Sequence, residues 1–488
     1  MKDFFPPFTP STTFPQLCSG ATLKYDSRRG LYISANRDMP CGEVVCFDTG
    51  KVVNLDIVNN VRLVLQMFYE FVGSFRHCEY CTETEKLYGP FEQPFANELQ
   101  NLGMLRLAVH LALSYTTEEI EACLRKGELR RERLDLTAMS SDTLSAVLSL
   151  QIDRFPVDIT PTEDLVKAIV KRLDKHPYWQ YIPSGRRLEA FRTLLGLISR
   201  RLMTNAHSIY FLDKLESRSE TNLEHSIPSG VGLFAAASWF NHSCRANLNS
   251  FFYENKLIFV SMGIRKGEEV CDNYGVSFFK HTAEERKNFL AGRGFTCECC
   301  TCVARDWIDD KLESFIGDPA LIFKSLVGAE DIMQYRSILS DGHRSIEAIA
   351  EMYVGTIDKN DPKRRLFLYE TILDCQRCRG LHFTPDQIRI HLSCVLASYE
   401  LWTRSEGNKR KHMLIMKTHL FASLVRMRTF YGSLYPAYDA SKMLAEELIR
   451  KEESEVLGSF EVLIEDLRSA LKPLTPIPAK SSIVWSQQ

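Results

Sequence analysis

The sequence predicts an α+β protein: a small β module split by a long helical insertion, closed by a cysteine cluster and followed by an all-helical C-terminal lobe. Three observations carry this. Strand-like residues fall in two separate stretches, Leu23 to Phe47 and Gly232 to Tyr274, within the segments 20–50 and 201–280. Between them, over residues 51–200, and again over residues 303–475, apolar residues recur at helical spacing. A dense group of cysteines lies in residues 281–302, at the end of the second β stretch.

Within the first stretch Leu31-Tyr32-Ile33 reads as a strand, Arg37–Gly42 as a polar turn and Glu43–Phe47 as a second strand. The insertion places Leu102, Leu105, Val109 and Leu113 on one helix face, and its charged run Arg125–Arg133 reads as a solvated face. Strand character returns from Gly232 to Tyr274. There Leu248–Tyr253 and Lys256–Met262 flank Glu254-Asn255 as a hairpin, and Val270–Tyr274 follows a turn. Amphipathic windows at Ile346–Tyr353, Ile388–Trp402, His412–Thr429 and Ser441–Ala470 predict helical hairpins without a strict repeat, and Pro473–Pro478 reads as a tail.

Composition excludes several classes. At 488 residues, with 45% hydrophobic and 25% charged residues, the chain can bury more than one core. A formal net charge of −2 supplies no global field to hold nucleic acid, so no direct nucleic-acid partner is expected. The most apolar helical stretch, Leu102–Tyr115, is interrupted by Arg106 and His110 and falls short of the ~20 residues needed to span a bilayer. The N-terminus lacks the basic-then-apolar order of a signal peptide. A monomer without a membrane partner, in the cytoplasm, the nucleus or both, is the expectation.

Four of the 15 cysteines fall in Cys297-Glu298-Cys299-Cys300-Thr301-Cys302. This Cys-x-Cys-x-x-Cys spacing, with one surplus thiol, needs a single distant ligand to complete a tetrahedral structural zinc site. The alternative is a set of free thiols beside a core. A second motif, Asn241-His242-Ser243-Cys244, lies between strand-like segments.

With Arg29-Gly30-Leu31, Asn205-Ala206-His207-Ser208-Ile209, Tyr274-Gly275, Glu285-Arg286 and Phe295-Thr296-Cys297 in order around it, the chain resembles the SET-and-MYND (SMYD-like) family of split SET-domain lysine methyltransferases. The resemblance covers about residues 20–50 and 190–302. It implies a split SET β module with a helical insertion, a post-SET zinc cluster and a TPR-like helical lobe. It implies S-adenosylmethionine as cofactor, held by Arg29, Gly30, Leu31, Asn205, Asn241, His242, Tyr274 and Phe295. It makes Tyr274 the catalytic residue that positions the substrate amine. It also makes Cys244 the fourth ligand to a structural zinc held by Cys297, Cys299 and Cys302, with Cys300 turned elsewhere. Read alone, Arg29-Gly30-Leu31 is a turn, either asparagine a loop cap, and Tyr274 a core tyrosine.

Two departures stand out. The family carries a MYND zinc module of seven or eight ligands inside the split, whereas between Lys51 and Arg200 this chain has Cys78, Cys81, Cys123, His77, His110 and His176. The module is absent or vestigial; Cys78/Cys81 and Cys375/Cys378 could each donate half a site or be ordinary thiols. In addition, Arg293 stands where the family commonly has a tyrosine lining the lysine channel. The leading function is therefore protein-lysine N-methyl transfer to a histone or another lysine-bearing protein. The competing functions are a catalytically weak or inactive SET-fold adaptor whose helical lobe binds partner proteins, and a zinc-stabilised scaffold without a ligand.

Overall fold

The structure is a computed structural model of the full chain. It describes residues 8–49, 52–55, 103–126, 143–152, 163–176, 178–212, 226–253, 256–278, 281, 283–303, 361–378, 383–404, 408–435 and 437–450. The pair His77/Cys78–Cys81, the window Ile346–Tyr353 and the tail Pro473–Pro478 lie outside these residues.

Among the described residues ten strands form two sheets. β1 (Ala21–Asp26), β2 (Gly30–Ala35), β10 (Glu269–Asp272) and β7 (Asn241–His242) make a four-stranded sheet in that order. The six-stranded sheet runs β3 (Val44–Thr49), β9 (Lys256–Ser261), β8 (Leu248–Tyr253), β5 (Ala206–Leu212), β6 (Ser226–Leu233), β4 (Val52–Leu55). Early strands thus pair with late ones: Ile33 lies opposite Val270, and Val44 opposite Val260. The sequence-predicted hairpin is β8–β9, with Tyr253 opposite Lys256 at its tip.

The helical insertion contains α1 (Gly103–Leu113), α2 (Thr117–Lys126), α3 (Leu144–Ser149), α4 (Glu163–Arg172) and α5 (Ser184–Asn205). Val109 and Leu113 are buried as their spacing predicts. α3 starts at Thr143, whose hydroxyl accepts from the Ala146 N–H and satisfies one of the helix's unpaired donors. Two short helices, α6 (Ala283–Gly292) and α7 (Cys300–Val303), close the β module. Among the described residues the C-terminal lobe contains α8 (Pro362–Cys378), α9 (Gln387–Thr403), α10 (Lys409–Tyr431) and α11 (Tyr438–Arg450), each packed on its chain neighbours. Among the described residues no helix is long and apolar enough to cross a membrane.

The apolar run Leu257-Ile258-Phe259-Val260 explains the architecture. Successive side chains on a strand point to opposite faces. Leu257 and Phe259 join a core shared with the insertion helices and the N-terminal strands, whereas Ile258 and Val260 join a core shared with α9, α10 and α11. The four central residues of β9 are therefore all apolar because both faces of its sheet are covered. Phe251 of β8 meets Tyr431 of α10 edge to face at 5.1 Å between ring centres, tying the lobe to the sheet.

The structure differs from the sequence reading in three places. β4 lies at the start of the stretch read as helical; it is a short strand and finds its partner in β6, far along the chain. β5 begins directly where α5 ends and β6 starts before Gly232, so the second β stretch opens earlier than its apolar alternation announces. β10 stops at Asp272, leaving Tyr274 in the turn beyond it.

Gly42 is where the N-terminal β segment abuts α10. Its φ is +92°, and a Cβ placed on it would lie 3.1 Å from the Thr429 carbonyl oxygen. Replacing Gly42 by alanine should therefore cost about 1–3 kcal/mol through left-handed backbone strain, with the backbone clash adding to it. A denaturant melt in which Gly42→Ala and the native protein share one midpoint would contradict this packing.

Candidate functional site

The site is assembled from the β1–β2 turn, the segment 240–244, the end of β10 and the segment 289–302. At the turn, the Asp26 carboxylate accepts from the backbone N–H groups of Arg28 (2.9 Å) and Arg29 (2.6 Å), fixing a tight bend that Gly30 completes at φ +71°. The Arg29 guanidinium pairs with Asp26 at 2.6 Å and with Glu269 at 3.2 Å, and lies 4.0 Å over the Tyr32 ring. Hydrogen bonding from Arg29 holds Asp26 below the usual carboxylate range. Glu269 also accepts from the Asn241 amide at 2.9 Å, so Arg29 and Asn241 meet on one carboxylate.

The pairing of β7 with β10 sets Asn241 beside Cys271 and His242 beside Asp272. Just beyond, the Tyr274 N–H donates to His242 Nδ1 at 3.1 Å. An Nδ1 that accepts leaves the ring proton on Nε2, which faces the Cys244 sulfur at 3.4 Å. Burial pushes the His242 imidazole down to about 4, with Arg293 adding to the shift and Cys299 opposing it. The Tyr274 hydroxyl donates to the Phe240 carbonyl at 2.7 Å, and burial raises its pKa above the ordinary phenol range. His242, Tyr274 and Phe295 form an aromatic wall, with ring centres 5.3, 6.1 and 6.2 Å apart pair by pair.

The sulfurs of Cys244, Cys297, Cys299 and Cys302 all lie within 4.8 Å of one another. Cys244 is 3.9 Å from Cys297 and 3.5 Å from Cys302. Four thiolates around zinc at ~2.3 Å would stand ~3.8 Å apart, so the cluster matches the donor set of a closed tetrahedral site and could hold that ion. Mutual hydrogen bonding within the cluster draws Cys299 below the usual thiol range and raises Cys244 above it, so these thiols titrate as a group. Cys300 begins α7, is exposed and stands outside the group.

Arg293 follows α6. Its guanidinium sits 5.6 Å over the Tyr274 ring and 5.2 Å over the Phe289 ring. Burial lowers its pKa.

The structure thus brings Arg29, Gly30, Asn241, His242, Tyr274 and Phe295 into one neighbourhood beside the four cysteines. Leu31 is buried in the core that backs the turn. Asn205 is placed differently from a ligand-facing amide. It ends α5, and its Nδ2 donates to the carbonyls of Arg201 (2.7 Å) and Gln151 (2.8 Å), which leaves Oδ1 as the side-chain atom it could offer. Cys375 and Cys378 lie in α8, remote in sequence from this cluster. Sequence reasoning assigned no role to Glu269, the hub between Arg29 and Asn241, nor to Phe289 beneath Arg293. A carboxylate opening β10, directly before Val270, was the available signal for Glu269.

Residues 30–275 of the 488 match the family model described as SET domain, and the chain belongs to the SET domain family. It is similar to SET domain-containing protein 3 of Caenorhabditis elegans, at 29% identity over 467 residues, covering 94% of this chain and 96% of that protein. A shorter stretch, 15% of this chain and 20% of the relative, is 31% identical to Potential protein lysine methyltransferase SET6 of Saccharomyces cerevisiae. The crystal structure of the SET domain of LSMT bound to MeLysine and AdoHcy matches with a TM-score of 0.23 at 14% identity, over 90% of this chain and 94% of that one.

If the four sulfurs hold zinc, elemental analysis of the purified protein should find about one equivalent. Cys299→Ser should lose the metal and lower the melting temperature, while Cys300→Ser retains both. Full zinc content in Cys299→Ser would place the metal elsewhere.

Proposed function

We propose that the protein is an S-adenosylmethionine-dependent protein-lysine N-methyltransferase of the SET-and-MYND branch, with the MYND module absent or reduced. The observation that carries this reading is the Tyr274 hydroxyl, anchored at 2.7 Å on the Phe240 carbonyl, on an aromatic wall with His242 and Phe295 and next to the Arg29–Glu269–Asn241 network. Membership of the SET domain family supports it, as does similarity to a yeast protein named as a potential protein lysine methyltransferase. The ordered motifs Asn241-His242-Ser243-Cys244 and Cys297–Cys302 support the branch.

The residues present suit the cofactor. Gly30 lets the backbone approach closely, the Asn241 amide offers both a donor and an acceptor, and His242 and Phe295 offer apolar faces. S-adenosylmethionine, when bound, supplies an electrophilic methyl on its sulfonium sulfur. The chain's contribution is orientation. A neutral lysine amine must lie in line behind that methyl, its lone pair forming the C–N bond as the C–S bond breaks and a proton then leaves the nitrogen. Because the Tyr274 O–H is spent on Phe240, its oxygen lone pairs can accept from an amine N–H and aim the nitrogen. The aromatic wall keeps water from competing. Zinc, if held by Cys244, Cys297, Cys299 and Cys302, would find all four donors in this chain and would serve to hold the His242–Cys244 segment.

The test joins binding to turnover. S-adenosylmethionine should raise the melting temperature of the native protein by linkage. Asn241→Ala should weaken that binding without unfolding the chain. Tyr274→Phe should slow lysine methylation by ~10²-fold or more while cofactor affinity stays near native. Equal rates for native protein and Tyr274→Phe would refute the role of the hydroxyl. The absence of any calorimetric signal at saturating cofactor would favour the adaptor function.

A further inference from the structure

Among the described residues Arg293 is a cation without a counterion, in a site that on the reading above admits another cation. Its guanidinium lies between the rings of Tyr274 and Phe289, and among the described residues no carboxylate pairs with it and no acceptor takes its five N–H donors. Three neighbouring arginines are served differently, Arg29 by Asp26 and Glu269, Arg28 by Glu298 and Arg286 by the His281 carbonyl, while the exposed Arg245 lies over the Phe278 ring. Stacking on aromatic faces holds a guanidinium but does not neutralise it. Nor do the nearby carboxylates help, since Glu269 is taken by Arg29 and Asn241, and burial pushes the Asp272 carboxyl up to about 7. Phe289 lies beside the Tyr274–Gly275 turn, its ring 3.4 Å from the position a Cβ would take on Gly275, and it is 42% exposed, so this side of the guanidinium borders the surface.

We infer that Arg293 is a specificity residue that receives a carboxylate from the substrate, so that the preferred target is a lysine with a glutamate or aspartate close to it in the polypeptide. This rests on the lysine-methyltransferase reading above. A planar guanidinium with free donors matches a carboxylate in a two-point bond. The same anion offsets the repulsion between Arg293 and the incoming ammonium group, so the acidic neighbour aids entry as well as binding. A lysine flanked by neutral or basic residues meets an uncompensated charge beside Tyr274.

The experiment uses the full-length protein and lysine-centred peptides carrying a glutamate at one flanking position, with their glutamine counterparts. Native protein should favour the best glutamate peptide by about 10- to 100-fold in kcat/KM, the range of a charge-assisted hydrogen bond. Arg293→Gln should erase that preference, and Arg293→Glu should shift it toward lysine-flanked peptides. Equal kcat/KM for glutamate and glutamine peptides in the native protein would overturn the inference, as would a preference that survives in Arg293→Gln. So would a loss of S-adenosylmethionine affinity in Arg293→Gln with the peptide preference unchanged, because the carboxylate served would then be the cofactor's own. Fluorescence anisotropy of the same labelled peptides separates this from the reaction itself. If nothing is methylated but glutamate peptides still bind in an Arg293-dependent way, the proposed reaction fails and the carboxylate site stands; equal affinities for both peptide sets overturn the site.

Discussion

The Cys244 sulfur ties the site together. It meets Cys297 and Cys302 from 53 and 58 residues away in the chain, and it faces the Nε2 of His242, whose Nδ1 takes the Tyr274 N–H. One short segment therefore touches the cysteine cluster on one side and the backbone of the proposed catalytic tyrosine on the other. Moving the sulfur cluster would move the imidazole, and moving the imidazole would release the Tyr274 backbone. Ordering a tyrosine outside regular structure requires such fixed points, since backbone freedom is costly to remove and β10 has already ended.

Behind this segment lies a sheet buried on both faces. Phe259 of β9 stacks on Phe240 at 4.8 Å, and Phe240 is the residue whose carbonyl receives the Tyr274 hydroxyl. The carbonyl that receives the phenol thus belongs to a residue whose side chain is fully buried, so its position is set by core packing. Asp48 on the neighbouring β3 accepts from the Ala237 N–H at 2.9 Å and holds the turn that precedes this segment.

Features whose cause is local were legible in the sequence. The cysteine spacing declares its chemistry because three candidate ligands lie within six residues, and the Leu257–Val260 run declares a strand because both faces bury apolar surface. The resemblance brought in Asn241, His242 and Tyr274, which no propensity would have picked out. What stayed hidden depends on distant chain segments meeting. β4 is four residues long and is a strand because β6 is there to pair with it. Glu269 carries no mark in the sequence of its pairing with Arg29, which the β1–β2 turn brings to it, and the Asn205 amide is turned toward Gln151 by an insertion whose course no sequence pattern gives.

The interleaving of early and late strands also bears on how the protein is made. β2 waits for β10, and β3 waits for β9, so neither N-terminal hairpin nor edge strand can be sheltered until more than half of the chain has left the ribosome. Until the lobe of α9 and α10 follows, Ile258, Val260 and Phe251 remain uncovered. Sheets built from such long-range pairings close slowly and expose adhesive edges in the meantime. A nascent chain of this design is a natural client for chaperones that shield apolar surface during translation.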